Sequence, residues 1–371
     1  MNEPLARRES WFATLLSVLL LIAFVGTAAG QAWLPDKGEA SVSTSYNYIA
    51  FRGHFRTDGS RTAEAASKAQ SVLFEVEYGL TDRLALTFSV PIVAARYADT
   101  NPSSAFLRGL FNQVVQAVGP GVYGHQFLDD GHYHSSLQDF HVDLRYNVVS
   151  RPLVVTPFVA MVAPSHDYAY VGEAAPGRDL WEFQFGTNVA RRLDPFLPNA
   201  YLHGQISFAI PEEALHLRTN RMNLSPEFGY FLTRKLAVRG FGNWQHTFSG
   251  LRFPADLTTP ELTLTHERLL KANYWHLGGG ISYAITPKTE VSGDVVTFLS
   301  GSDTHYGTGV SLRITRSFMR KPRGTGHRLP GGHAPRGRLG GEDPGRLSLA
   351  VQPRAGHRNR PQAGTGEPVL V

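Results

Sequence analysis

YGLTDRLALTFSVP, from Tyr78 to Pro91, reads in three parts: an aromatic, a Leu-Thr corner closed by a basic residue, and an alternating run. The same order returns as YFLTRKLAVRGF (Tyr230–Phe241) and as YAITPKTEVSGD (Tyr283–Asp294). In the first copy Leu84, Leu86, Phe88, Val90 and Ile92 alternate with Ala85, Thr87 and Ser89. Side chains on a strand point to opposite faces in turn, so such a run has one apolar and one polar face. The repeat therefore marks three equivalent corners, each opening a new amphipathic strand.

The same period of two runs from Gln31 to Phe318. DFHVDLRYNVV sets Phe140, Val142, Leu144, Tyr146 and Val148 against Asp139, His141, Asp143, Arg145 and Asn147. WEFQFGTNV sets Trp181, Phe183 and Phe185 against Glu182, Gln184 and Gly186. A soluble β-sandwich would alternate too, but two features point elsewhere. Short corners (79–83, 150–152, 194–198, 232–235, 285–288) take turns with longer polar connections (52–67, 98–136, 164–178, 211–219, 249–269, 301–305). About twelve strands result, each long enough to cross a bilayer at a tilt. This predicts an all-β chain, a transmembrane antiparallel up-and-down β-barrel of about 12 strands. The tyrosine ahead of each short corner falls where an interfacial aromatic girdle belongs. Register is open over 153–164, apolar on both faces, and over 236–245, where glycines interrupt one face.

The barrel is expected over residues 31–318, between two segments of other character. Residues 1–30 place Arg7 and Arg8 before an apolar run (Trp11–Val25) and small residues, the order of a signal peptide cleaved near Ala28-Ala29-Gly30. This predicts export. The chain has no cysteine, which excludes disulfide scaffolds, thiol catalysis and cysteine-based zinc sites. Residues 319–371 hold 11 Gly, 7 Pro and 9 Arg with one Lys, a composition that cannot bury a core and is expected to be disordered. They also carry the basic excess behind the net charge of +5. Such a tail reads equally as a genuine basic extension or as a frameshift product. The last strand, GTGVSLRITRSF, closes on Phe318 in the manner of an outer-membrane assembly signal.

EVEYGLTDRLALTFSVPIV, TPFVAMVAPSHDY, HLGGGISYAITPKTEVSGDVVT and GVSLRITRSF together resemble the bacterial outer-membrane family named for the meta-pathway of phenol degradation, whose members are described as transporters. The resemblance spans Trp33 to Phe318. It implies a barrel that moves small molecules, hydrophobic or aromatic ones among them, and brings no catalytic residues with it.

By alternation, the lumen is expected to hold Glu75, Glu77, Asp139, Asp143, Glu182, Glu227, Glu290 and Asp294, opposed by Arg145, Arg239 and Arg313. Charges in membrane-spanning segments are tolerated when paired or facing water, so these residues either line a passage or plug it. The acidic excess predicts cation preference, and His141, His203 and His276, inward by parity, would offset it when protonated. Gly278–Gly280 of HLGGGIS are expected to relieve crowding in a strand rather than to cradle phosphate. His125, Asp129, Asp130, His132 and His134 have the residue types of a metal site, though a polar loop collects them anyway. His246 and Ser249 are the one pair that would suit a lipid-modifying outer-membrane enzyme, but their spacing sets them on opposite strand faces.

The function expected is an outer-membrane channel or transporter. The alternatives are a closed structural or docking barrel whose long loops meet a partner and, third, the enzyme. No cofactor and no nucleic-acid partner are expected. The expected partners are outer-membrane lipid, the barrel-assembly machinery and a small-molecule solute.

Overall fold

The computed structural model describes residues 32–63, 67–97, 102–118, 127–172 and 174–318. The expected signal peptide and the basic tail lie outside these residues. Twelve strands form the wall: β1 (Ala40–Phe55), β2 (Ser67–Thr81), β3 (Leu84–Tyr97), β4 (Phe140–Tyr146), β5 (Val154–Ala163), β6 (Glu182–Arg192), β7 (Ala200–Pro211), β8 (Arg221–Phe231), β9 (Leu236–Thr247), β10 (Asn273–Thr286), β11 (Thr289–Ser302) and β12 (Thr304–Phe318). Each pairs antiparallel with its neighbours in sequence order, and β12 returns to β1 from Ala40↔Phe318 to Phe55↔Thr304. The sheet is a closed up-and-down barrel. Closure leaves the wall without an open strand edge between β12 and β1. Phe318 stands at this closing seam opposite Ala40. Among the described residues no helix is long and apolar enough to cross a membrane.

The repeated corner has a common chemistry. In each copy a threonine hydroxyl accepts from the backbone N–H two residues on: Arg83 N–H to Thr81 at 3.1 Å, Lys235 to Thr233 at 3.1 Å, Lys288 to Thr286 at 3.2 Å. A hydroxyl that substitutes for a backbone acceptor fixes a tight turn. Tyr78, Tyr230 and Tyr283, just before these turns, point outward with the apolar side chains.

Alternation sorts the rest. Phe74, Phe88, Phe183, Ile206, Trp275 and Ile314 are exposed on the outer face. Ser43, Thr87, Asp143, Asn188, Glu227 and Asp294 are buried on the inner one. The two uncertain stretches resolve. On β5 Val154, Thr156, Phe158 and Ala160 are buried inside, with Val159 and Met161 outside. On β9 Arg239 and Phe241 face in and Trp244 faces out.

Two expectations on connections are corrected. Residues 301–305 do not form a long loop: Asp303 alone links β11 to β12, with φ 54°. Aspartate tolerates that left-handed conformation, which lets the hairpin close in one residue. The fourth strand breaks at Gln138–Asp139. A short strand, His134–Leu137, pairs with the upper part of β3, while Phe140–Tyr146 pairs with its lower part.

At the long-loop end three connections interlock. Helix α1 (Pro102–Val118) brings Phe111 against Val171 and Leu264, the latter in helix α2 (Pro260–Leu264). Arg178 and Arg268 each donate to the other's backbone carbonyl, at 2.9 Å and 2.6 Å, tying the loops after β5 and β9 together. These contacts form a cap over one rim.

Candidate functional site

The inner face carries nearly every charge that the alternation placed there, and the structure joins them into pairs. Arg145 on β4 binds Glu77 at 2.6 Å and Asp143 at 2.9 Å, and also donates to Thr87. Arg313 on β12 lies 3.9 Å from Glu75. Arg239 on β9 reaches Asp294 on β11 through Nε at 2.9 Å and Nη2 at 2.5 Å.

That last pair spans an intervening strand. Arg239 registers with Gly280 of β10, and Gly280 registers with Asp294. A Cβ on Gly280 would stand 1.9 Å from the Asp294 carboxylate. Gly278, one inward position away, lies under the Phe241 ring in the same way. The glycines of HLGGGIS leave room on the inner wall for the groups that cross it. No helix follows them, so a phosphate cradle is not formed.

Glu227 accepts from the Tyr201 hydroxyl at 2.6 Å and faces the same cluster. Glu290 is more exposed, near Arg239 and Arg313. Glu182 sits at the rim, where Arg221 holds it at 2.6 Å and Arg178 approaches at 3.5 Å. Arg221 and Arg178 lie outside the set expected from alternation. Parity places Arg221 inward, on the face of Glu227, at the start of β8. Arg178 lies in a loop, where parity gives no signal.

Asp139 is not within a strand. It occupies the break before β4 and accepts from the Tyr168 hydroxyl at 2.6 Å. Burial raises the Asp139 carboxyl above the usual range, and burial with the adjacent Asp139 raises the Tyr168 phenol. Burial, followed by the nearby Arg221 cation, pulls the Arg178 guanidinium down to about 10, still charged at neutral pH. A cleft of about 400 Å³ opens beside these residues, with Asp167, Asp179, Glu212 and Glu213 in its lining.

The opposite end has its own occupant. The segment before β1 turns inward. Gly38 N–H donates to the Gly79 carbonyl on β2, and the Pro35 and Asp36 carbonyls cover the inner side of Gly79. Further back, the Ala32 carbonyl accepts from Thr156 of β5 at 2.7 Å, and Ala32 is fully buried against Val154 and Ala190. Trp33 sets its ring edge-on to Tyr201 of β7 at 5.9 Å. Residues 32–38 thus run as a strap from one side of the barrel interior toward the other.

The remaining candidates do not assemble. His125 lies outside the described residues. Asp129 is taken by the Ala174 N–H, and Asp130 pairs with His134 at 2.8 Å. Burial alone would raise Asp130, but the His134 ring and the His132 N–H outweigh it and hold the carboxyl low. The His246 ring stacks on Trp244, while Ser249 donates to the Arg218 carbonyl, so the two do not meet as base and nucleophile.

No protein-family profile and no curated protein matches this sequence. Solved structures do. An outer membrane channel from Pseudomonas putida F1 superposes with a TM-score of 0.58 at 12% identity, over 79% of this chain and 100% of that one. The NanC porin aligns over 75% and 98% at a TM-score of 0.42 and 7% identity. The P. putida toluene transporter TodX aligns over 78% and 92% at 0.38 and 10%. What the first of these likenesses defines is a class by fold: the closed twelve-stranded barrel of the outer-membrane type.

Proposed function

We propose that this chain is a bacterial outer-membrane channel or transporter for small molecules, exported by residues 1–30 and inserted by the barrel-assembly machinery into outer-membrane lipid. The short threonine corners then face the periplasm, and the cap and cleft face outward. The observation that carries the reading is the inner face. Seven carboxylates on the strands (Glu75, Glu77, Asp143, Glu182, Glu227, Glu290, Asp294) stand with four arginines (Arg145, Arg221, Arg239, Arg313) inside an apolar-coated barrel. A wall of ion pairs with a net negative sign suits a water-containing passage, because lipid would not tolerate it. The structural neighbour named as an outer membrane channel supports the same reading. So do the motifs resembling the meta-pathway family, which would make hydrophobic or aromatic compounds candidate solutes.

The cap and the strap support a second reading, a closed docking barrel. Conductance separates the two. The refolded chain in a planar bilayer is expected to conduct, with a reversal potential showing cation preference that fades toward molar salt as the field is screened. Trp33→Ala should raise conductance by loosening the strap. Anion preference would remove the carboxylate wall from the mechanism. Silence in both proteins would establish the closed barrel.

A further inference from the structure

At the closing seam, on the capped end, four side chains from three distant parts of the chain meet. His54 ends β1 just beyond a bulge at Phe51/Gly53, and His305 faces it in register on β12. His266 and Glu267 open helix α3 (His266–Leu269) in the loop between β9 and β10. His266 Nε2 lies 3.1 Å and His54 Nε2 3.9 Å from one oxygen of Glu267, and His305 Nδ1 lies 3.3 Å from the other. The ligand atoms of His54, His266 and Glu267 all fall within 4.8 Å of one another.

We propose that His54, His266 and Glu267, with His305 against the other oxygen of Glu267, form a binding site for a divalent transition metal of the zinc class. Three observations carry it. The first is spacing. Nitrogen and oxygen ligands about 2.0–2.1 Å from a tetrahedral ion stand roughly 3.3 Å apart, close to the separations around Glu267.

The second is a proton count. His266 Nδ1 lies 2.7 Å from the Thr263 carbonyl, which can only accept, so Nδ1 carries the hydrogen. In the neutral ring, Nε2 then turns a lone pair on a carboxylate oxygen. Two acceptors in contact require a cation between them. A proton would reconcile this imidazole with Glu267, and a divalent ion would do so while also taking the His54 nitrogen beside the same oxygen. An imidazole fixed through its far nitrogen by a backbone carbonyl is also how metal-binding histidines are oriented.

The third observation is the surroundings. His54 and His266 are 2% and 3% exposed. Phe253 stacks on His54 at 4.5 Å, and Phe51 lies 5.1 Å from His305. Asp303 binds the Phe253 N–H and the Thr57 hydroxyl, both at 2.7 Å, locking that ring in place. Imidazole nitrogens from His54 and His266 favour zinc, cobalt, nickel or copper over magnesium or calcium, which take oxygen. An ion here would fasten the cap loop to β1 and β12 where the barrel closes, whatever the solute.

The test uses the full chain without an affinity tag, refolded in detergent and stripped with chelator. Zn²⁺ titration by calorimetry should saturate at one equivalent, and Co²⁺ should give the intense visible bands of a tetrahedral ion. His266→Ala and His54→Ala should each weaken binding about 100-fold or more, beyond the effect of losing an outer partner. His305→Gln should alter the Co²⁺ spectrum. His216→Ala, at a fully exposed position, should change nothing. Each variant is checked for folding by its unheated gel mobility. If His266→Ala does not fold, His54→Ala carries the decision. No one-equivalent binding, or binding that survives in the folded ligand variants, would overturn the site.

Discussion

Asp294→Asn tests whether the inner ion pairs hold the wall. Asp294 is 1% exposed and takes two charge-assisted bonds from Arg239, at 2.9 and 2.5 Å. Hydrogen bonds to charged groups contribute about 1.5–3 kcal/mol each, and breaking a buried pair from one side costs about 3–5 kcal/mol. Asparagine keeps the volume and one carbonyl acceptor, and Glu227 remains near enough to Arg239 to take part of its charge. The expected loss is therefore about 2–3 kcal/mol. Urea unfolding in lipid vesicles, followed by tryptophan fluorescence, would read it as a lower midpoint at unchanged slope. A cycle with Arg239→Met should return a coupling of about 1.5–3 kcal/mol. Gly280→Ala should cost a similar amount, because its Cβ must displace the same carboxylate, and the two losses should not add. An Asp294→Asn protein within about 0.5 kcal/mol of the parent, with no coupling, would show that water already screens the pair.

Two further outcomes are expected. A chain stopped after Phe318 should reach the outer-membrane fraction with the same heat-dependent gel mobility as the full chain, since Phe318 already pairs with Ala40 at the seam; loss of insertion would show that residues 319–371 have a role. Replacing Thr81, Thr233 or Thr286 by valine removes a turn acceptor while keeping the shape, and each change should lower the unfolding free energy by about 0.5–1.5 kcal/mol; no effect at any corner would mean that register alone sets the turns.

The wall was legible because its grammar is local. A strand with one apolar and one polar face must alternate, and a one-residue slip would exchange the faces, so parity alone groups Glu77, Asp143, Arg145, Glu227, Arg239 and Asp294; the structure pairs Arg145 with Glu77 and Asp143, and Arg239 with Asp294. Even Gly280 could be read as a relief of crowding, although not as the gap beneath a particular ion pair. What parity could not reach was the ends. Asp303 looked like part of a polar loop because Gly301, Ser302 and Asp303 are turn formers. Only the positive φ at Asp303 reveals a one-residue link. His54, His266 and His305 are separated by up to about 250 positions, and no spacing rule connects them. The one sequence hint was a negative one. His54 follows Gly53 at a place where the alternation of β1 falters, and that is where the bulge turns it inward.

The strap shows how little sequence is needed to alter a barrel's interior. Twelve strands about 4.8 Å apart and tilted near 40° enclose a backbone circle roughly 24 Å across. Gly38 is anchored on β2, and Ala32 and Trp33 rest against β5, β6 and β7, three to five strands further round. Pro35 and Asp36 already lie against Gly79 of β2, so the reach toward β5 and β6 is made by residues 32–35. A strap held at both ends cannot swing aside, so passage, on the proposed function, depends on releasing one anchor. The Gly38 end is the firmer. It is built from paired backbone groups, and the Lys37 N–H adds a bond to Asp82 at 3.3 Å. The Ala32 end hangs on one threonine hydroxyl, a small apolar contact and the edge of one tryptophan. Release should therefore begin at Trp33, with Gly38 as the hinge, and the Tyr201–Glu227 pair beneath it is the first part of the charged wall to be uncovered.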